Sequence, residues 1–219
     1  MLRRPLADRM QAIMEFGSDI RVETCTGQAV VPLLPALQRL RITVFRAWPY
    51  LYDGDPAQES AHLRGFADSA QAAIVVAFGD GEPVGASTCL PLADVPANVR
   101  APFEARDLDP ARVFYFGESV LLPEWRGRGI GVAFFERREA HARRVSACDY
   151  TAFCAVQRPA DHPLRPPGAP VLDGFWRNRG YAPYPELACT MRWKDVGEAA
   201  PTDHILRFWL KSPRGAPLP

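Results

Sequence analysis

Little in this sequence favours a charged partner. Its 26 basic residues stand against 25 acidic ones, for a formal net charge of +1 over 219 residues, so the molecule lacks the field that holds a nucleic-acid backbone or an anionic membrane. Neither nucleic acid nor membrane is an expected partner. Close cysteine pairs are also missing: Cys25, Cys89, Cys148, Cys154 and Cys189 are too scattered for a zinc or redox motif, and they read as reduced thiols. His62, His141, His162 and His204 make no ligand spacing with one another or with the cysteines, so no metal is expected. No apolar run is long enough to span a bilayer, and no internal repeat is visible. Met1 to Phe16 has arginines but no continuous apolar stretch, and Asp8 and Glu15 count against a transit peptide. The expected location is the cytoplasm.

What is present is a chain with 47% hydrophobic residues, enough for one sizeable core. Ile20 to Cys25 alternates like a half-exposed strand, and Pro32 to Ala47 carries apolar residues at mostly helical spacing. Pro49 and Gly54 end that helix, and Pro56 can open another. Ala72 to Phe78 and Pro83 to Leu90 read as an antiparallel pair joined by Gly79-Asp80-Gly81-Glu82. Ala93 to Arg112 holds at best a short helix. A strand over Val113 to Leu122, a helix over Gly129 to Val145 and a strand over Tyr150 to Val156 follow. Gln157 to Pro170 is too rich in proline for regular structure. A short helix near Val171 to Arg179 and two final strands, around Tyr181 and from Leu187 to Trp193, complete the expected core. Ile205 to Leu210 is apolar enough to dock on something, and Ser212 to Pro219 reads as a disordered tail.

The segment Leu121-Leu122-Pro123-Glu124-Trp125-Arg126-Gly127-Arg128-Gly129-Ile130-Gly131 joins a strand to a helix. Its three glycines let backbone amides face outward, and the helix start adds its own amides and dipole, so the turn is suited to an anion such as a pyrophosphate. It is not a P-loop, for Gly-Lys-Ser/Thr is absent, nor a dinucleotide fingerprint, whose third glycine is replaced by Val132. The remaining pattern, Arg126-x-x-Gly129-x-Gly131, resembles the CoA-pyrophosphate signature of the GNAT superfamily of acyl-CoA-dependent N-acetyltransferases. Leu121-Leu122-Pro123-Glu124 stands where that family has a Val-x-Pro-Glu-like strand end. Phe175-Trp176-Arg177-Asn178-Arg179-Gly180-Tyr181 resembles a second family motif, an aromatic pair followed by a Gly-aromatic step.

The resemblance runs from about Ile20 to Lys194. It implies an α/β (α+β) fold, with a mixed, mostly antiparallel sheet flanked by helices in a single domain at 20–194, between extensions at 1–19 and 195–219. It also implies an enzyme that moves the acetyl group of acetyl-CoA to an amine by direct attack. Leu121, Leu122, Arg126, Gly127, Arg128, Gly129, Ile130, Gly131 and Trp176 would hold the co-substrate, with backbone groups around Leu121 gripping the pantetheine arm and polarising the thioester. Glu118, near the thioester in this comparison, is the candidate general base or amine anchor; its bland alternative is a solvated or salt-bridged strand residue. Trp176 stands where many relatives carry a proton-donating tyrosine, and an indole cannot replace it. Tyr181, Tyr150, water or unassisted departure of the thiolate remain open in its place.

The acceptor is read from Trp48, Tyr50, Tyr52 and Asp53, which with Asp55 offer aromatic faces and carboxylates to a small cationic amine. The alternative is that the rings pack the helices while the aspartates cap the next one. The insertion at 157–170 is expected either to cover the acceptor site or to contact a second subunit in a homodimer. Two rival functions stay open: a non-catalytic acyl-CoA-binding or sensing module, and a protein N-acetyltransferase.

Overall fold

Residues Ala73–Gly79 form a strand, β3, whose apolar run is buried almost throughout, and the architecture follows from what covers each side of it. Ile74 and Val76 pack with Leu37, Leu40, Val99 and Phe103, whereas Val75 and Ala77 pack with Ile130, Ala133 and Phe134. Successive strand residues point to opposite faces, so helices cover the sheet on both sides. The computed structural model describes residues 14–15, 19–57, 59 and 69–218. The extension expected at 1–19 falls almost wholly outside the described residues, as does His62.

In chain order the elements are β1 (Met14–Glu15), β2 (Ile20–Cys25), α1 (Leu34–Phe45), β3, β4 (Glu82–Pro91), α2 (Ala97–Glu104), β5 (Val113–Leu121), α3 (Ile130–Val145), β6 (Tyr150–Val156), α4 (Asp173–Arg177), β7 (Ala182–Trp193) and β8 (Thr202–Lys211). They make one sheet in the order β1-β2-β3-β4-β5-β6-β8-β7. Every junction is antiparallel except β5 with β6. The expected mixed, mostly antiparallel sheet between helices is therefore the observed fold. The hairpin between β3 and β4 turns on Asp80 and Gly81, both at positive φ (51° and 85°), as a tight two-residue turn requires. The helix expected from Pro56 is helical at 56, 57 and 59, and the rest of it lies outside the described residues.

Two expectations change near the C-terminal end. The strands expected around Tyr181 and from Leu187 form one strand, β7, whose register against β8 shifts between Tyr184 and Ala188. The segment placed outside the core at 195–219 supplies β8, inserted between β6 and β7. Its His204, Leu206 and Phe208 are buried while Ile205 and Arg207 are exposed, the period-2 pattern of a strand with one covered face. Beyond β8, Tyr150 Oη donates to Pro217 O at 2.7 Å, so the stretch read as a disordered tail lies against β6.

Two departures from regular pairing shape the site. The parallel pairing of β5 with β6 covers Val113 to Tyr115 against Tyr150 to Ala152; from Phe116 and Phe153 onward the strands separate. Between β4 and β5, Ser87 faces Ser119 but Cys89 faces Phe116, so β5 holds one residue more than β4 in that interval. Such a bulge reverses which face the following side chains occupy. Tyr115 lies with the α1 core and Phe116 with the α3 core, and after the bulge Val120 returns to the α1 side and Leu121 to the α3 side.

Candidate active site

The loop from β5 to α3 is seated by Trp125. A Cβ on Gly79 would come within 2.3 Å of the Trp125 ring, so the indole lies directly on the bare backbone of β3. The Arg128 guanidinium stacks over the same ring at 4.7 Å. Arg126 donates from Nε and Nη2 to Leu121 O, each at 3.2 Å, and Leu122 N donates to Val84 O at 3.0 Å. Gly127 has φ 76° and open space where a Cβ would stand. Gly129, the N-cap of α3, is left-handed at φ 82° and provides no side-chain cap. Its carbonyl accepts from Val132 N and Ala133 N, and the amides of Ile130 and Gly131 come too early in the helix to find intrahelical partners. The second aromatic motif meets this loop: a Cβ on Gly131 would stand 3.3 Å from Phe175 Cζ.

Where β5 and β6 part, the α3 side is walled by aromatic rings. Phe135 meets Phe153 at 5.8 Å and Tyr181 at 5.2 Å between centroids, and Trp176 packs edge-on against Phe153 at 5.1 Å and Trp209 at 5.0 Å. Trp176 thus belongs to this wall. The Tyr181 hydroxyl lies 3.0 Å from Thr151 Oγ1 and donates to Glu139 at 3.2 Å, while Lys211 Nζ donates to both Glu139 oxygens at 2.8 Å. Burial, reinforced by Glu139, raises the Tyr181 hydroxyl well above its usual range, so it keeps its proton.

On the opposite face the bulge turns Glu118 toward α1. Arg41 Nη1 lies 2.5 Å from Glu118 Oε1, and the same guanidinium donates from Nε to Glu59 Oε2. The backbone amide of Glu118 donates to Thr88 Oγ1 at 3.1 Å. All three charged side chains are nearly buried. Burial works against the Arg41 charge, but Glu118 and Glu59 outweigh it and raise its pKa. The salt-bridged alternative for Glu118 is thus part of the observed geometry. Sequence spacing pointed to neither Arg41, which reads as one more polar residue on α1, nor Glu59, which is 18 residues away along the chain.

The loop after α1 is held from several sides. Tyr50 packs against Phe45 and Trp193 at 4.5 Å and 5.9 Å, and burial raises its hydroxyl above the usual range. Tyr52, pushed up to about 12 by burial and then by Glu59, leans toward the Arg41 cluster. Trp48 meets His162 of the insertion at 5.4 Å. Asp53 pairs with Lys194 at 2.6 Å and Arg46 at 2.8 Å; their hydrogen bonds lower its pKa. Arg158, from the insertion, donates to Pro49 O, Tyr50 O and both oxygens of Asp195, and Trp193 Nε1 donates to Tyr50 O at 3.1 Å. This Arg158–Asp195 clamp, which joins three distant segments, was not visible in the sequence. The insertion therefore lies against the loop of Trp48 and Tyr50. None of the five cysteines is in a disulfide, and no three His, Cys, Asp or Glu among the described residues are placed to hold a metal. Among those residues, no helix is long and apolar enough to cross a membrane.

Comparison with known proteins places the chain in a family. The model of the acetyltransferase (GNAT) family matches residues 37–165. Among solved structures, a ribosomal-protein-alanine N-acetyltransferase from Brucella melitensis superposes with a TM-score of 0.56 at 16% identity, over 87% of this chain and 98% of that one. An acetyltransferase from Streptococcus agalactiae gives 0.55 at 13% identity, over 89% and 99%. An acetyl transferase from Salmonella typhimurium that modifies the N-terminal serine of ribosomal protein L7/L12 gives 0.52 at 12% identity, over 92% and 99%. At these identities the likeness is one of fold. No curated protein matches the chain in sequence.

Proposed function

The chain belongs to the GNAT family of acetyltransferases, and from that premise we propose that it transfers the acetyl group of acetyl-CoA to the amine of a small acceptor by direct attack. The observation that carries the reading is the bare start of α3. Gly127 and Gly129 at positive φ, an N-terminus without a side-chain cap and the arginines at 126 and 128 lie together at the end of β5. Backbone amides, helix dipole and guanidinium groups all favour a pyrophosphate there. The open space at Gly127 and the stretch of β5 that has left β6 fit the rest of the co-substrate.

In this reading Arg126, Gly127, Arg128, Gly129, Ile130 and Gly131 hold the phosphates, and Arg126 exchanges its bond to Leu121 O for a phosphate oxygen. Leu121 and Leu122 offer backbone groups to the pantetheine arm, and Trp176 forms part of the wall beside it. Bound acetyl-CoA supplies an acyl thioester open to a nucleophile. The acceptor amine approaches on the α1 face, near Tyr50 and Tyr52. There the Arg41 guanidinium is shared by two carboxylates, Glu59 and Glu118, a nearly buried polar cluster beside which a protonated amine meets a carboxylate. An amine with a pKa near 10.4 needs roughly 4 to 5 kcal/mol to become neutral at pH 7. We assign Glu118 to anchoring it or taking up its proton. Trp48 and Asp53 border the same loop, with Asp53 orienting it through Lys194 and Arg46.

One observation favours a second reading, a module that binds acyl-CoA without turnover: the Tyr181 and Tyr150 hydroxyls are committed to Glu139 and Pro217 O, and residue 176 is an indole. Calorimetry with acetyl-CoA, followed by a free-thiol assay against small amines and N-terminal peptides, separates the cases. Binding with thiol release on a small amine is the expected result. Binding without release across the panel favours the sensor, release on peptides alone favours a protein acceptor, and absence of binding overturns the acetyl-CoA reading.

A further inference from the structure

Arg138 is a buried cation whose neighbouring carboxylates are already taken. It lies eight residues after Ile130 on α3, about 12 Å along the axis at about 1.5 Å per residue, and is only 2% exposed. Its guanidinium lies against the rings of Phe116 and Phe135, 4.5 Å and 4.7 Å from their centroids. Nε donates to the Phe134 carbonyl at 3.2 Å, the one hydrogen bond this side chain makes among the described residues. Glu139, the next residue, accepts two bonds from Lys211 and one from Tyr181, and Glu118 is committed to Arg41. Burial pulls the guanidinium's pKa down to about 10. The flanking rings and the more distant charges of Glu139 and Glu118 compensate in part, but a buried cation with no direct ion pair is costly and points to an acceptor that arrives later.

The position suggests what that partner is. Phe116 is the first residue of β5 past its pairing with β6, and Phe153 is its counterpart on β6. Phe135 touches the Phe153 ring. The guanidinium therefore lies beside the strand separation, on the α3 side, among aromatic rings that suit an apolar chain with isolated polar atoms better than a hydrated phosphate. The phosphate-binding amides are at the other end of the same helix segment.

We propose that Arg138 binds the acyl-pantetheine arm of the co-substrate, its Nη atoms donating to a carbonyl oxygen of that arm. The assignment rests on the acetyl-CoA reading above. It gives α3 two recognition points, one at Gly129 to Gly131 for phosphate and one at Arg138 for carbonyl, spaced along a single rigid element.

The test is calorimetry on the full chain with two probes: acetyl-CoA, and adenosine 3′,5′-bisphosphate, which carries phosphates but no arm. Arg138→Met keeps much of the apolar bulk over Phe116 and Phe135 and removes the donors; Arg138→Lys keeps a charge. For Arg138→Met the expected result is a loss of acetyl-CoA affinity of roughly tenfold to a hundredfold, the range of one charge-assisted hydrogen bond, with unchanged affinity for the bisphosphate and no lower melting temperature. Arg138→Lys should recover part of the loss. An equal loss on both probes, or none on either, overturns the proposal by making Arg138 structural. Wild-type protein that binds the bisphosphate but gains nothing from the arm overturns it as well. Wild-type protein that binds neither probe overturns the acetyl-CoA reading along with it.

Discussion

The seat of Trp125 on Gly79 can be tested by adding one carbon atom. In Gly79→Ala the new Cβ would lie 2.3 to 2.6 Å from three atoms of the indole, where non-bonded carbons settle at about 3.5–4.0 Å. The ring must therefore retreat by about 1 Å or more, because Gly79 is fixed by its pairing with Ile20 and Glu82. Trp125 carries the loop toward Gly129 and supports Arg128 by stacking, so the displacement reaches the backbone proposed to hold the co-substrate. Overpacking of this kind costs about 1–3 kcal/mol. The expected outcome is a lower urea midpoint with an unchanged slope, and acetyl-CoA affinity reduced about tenfold or more by calorimetry. Trp125→Leu removes the obstacle, so the double variant should be more stable than the sum of the single effects predicts, by at least about 1 kcal/mol. Additivity within about 0.5 kcal/mol, or a Gly79→Ala protein as stable and as tight-binding as the wild type, means that the indole is not held against Gly79.

Three further outcomes are expected. Glu118→Gln should slow transfer to any accepted amine at least about tenfold while leaving acetyl-CoA affinity unchanged; an unaltered rate from pH 6 to 9 removes Glu118 from the chemistry and leaves it a partner of Arg41. Gly129→Val puts a β-branched residue at φ 82°, a conformation costing about 1–3 kcal/mol, so acetyl-CoA binding should fall below detection in calorimetry, and intact affinity counts against the loop as the phosphate site. Burial works to raise the Asp195 carboxyl, but Arg158 and His204 hold it below its usual range. Its stabilising contribution is therefore complete above about pH 4 and is lost as the pH falls further; the melting-temperature gap between wild type and Asp195→Asn should narrow from pH 6 to pH 3, and a constant gap contradicts the clamp.

What could be read in advance was whatever depends on local chemistry. The Asp80-Gly81 turn, the limits of β6 and the glycine loop before α3 each follow from residues adjacent in the chain. The face on which Glu118 points did not, because the bulge inserts one residue into β5 and strict alternation then counts wrongly from Gly117 onward. Arg41 and Glu59 meet only because the loop after α1 folds back, and nothing at either position marks it. Strand β8 was legible in the alternation of His204, Leu206 and Phe208 with Ile205 and Arg207, yet read by its apolar content alone the stretch is a docking segment outside the core, because nothing local shows that it inserts between β6 and β7. The two final strands expected around Tyr181 and from Leu187 to Trp193 are one strand interrupted by its shift between Tyr184 and Ala188, where Pro183 and Pro185 obscure the pattern.

The insertion of β8 between β6 and β7 also bears on how the molecule is made. A ribosome delivers residues in order, so β6 emerges with β5 on one side and its other neighbour missing, and β7 emerges as a strand with nothing yet to pair with. The loop of Tyr50 waits for Trp193, 143 residues later, or roughly 7 to 30 s at about 5–20 residues per second. During that interval α1, β2 to β5 and α3 can assemble from neighbours already synthesised, while the loop of Tyr50 still lacks Trp193 and Asp195. The nascent chain is thus expected to form the β2 to β5 wing with α1 and α3 first and to close last, when the strand from Thr202 to Lys211 slides into the gap and joins β6 to β7.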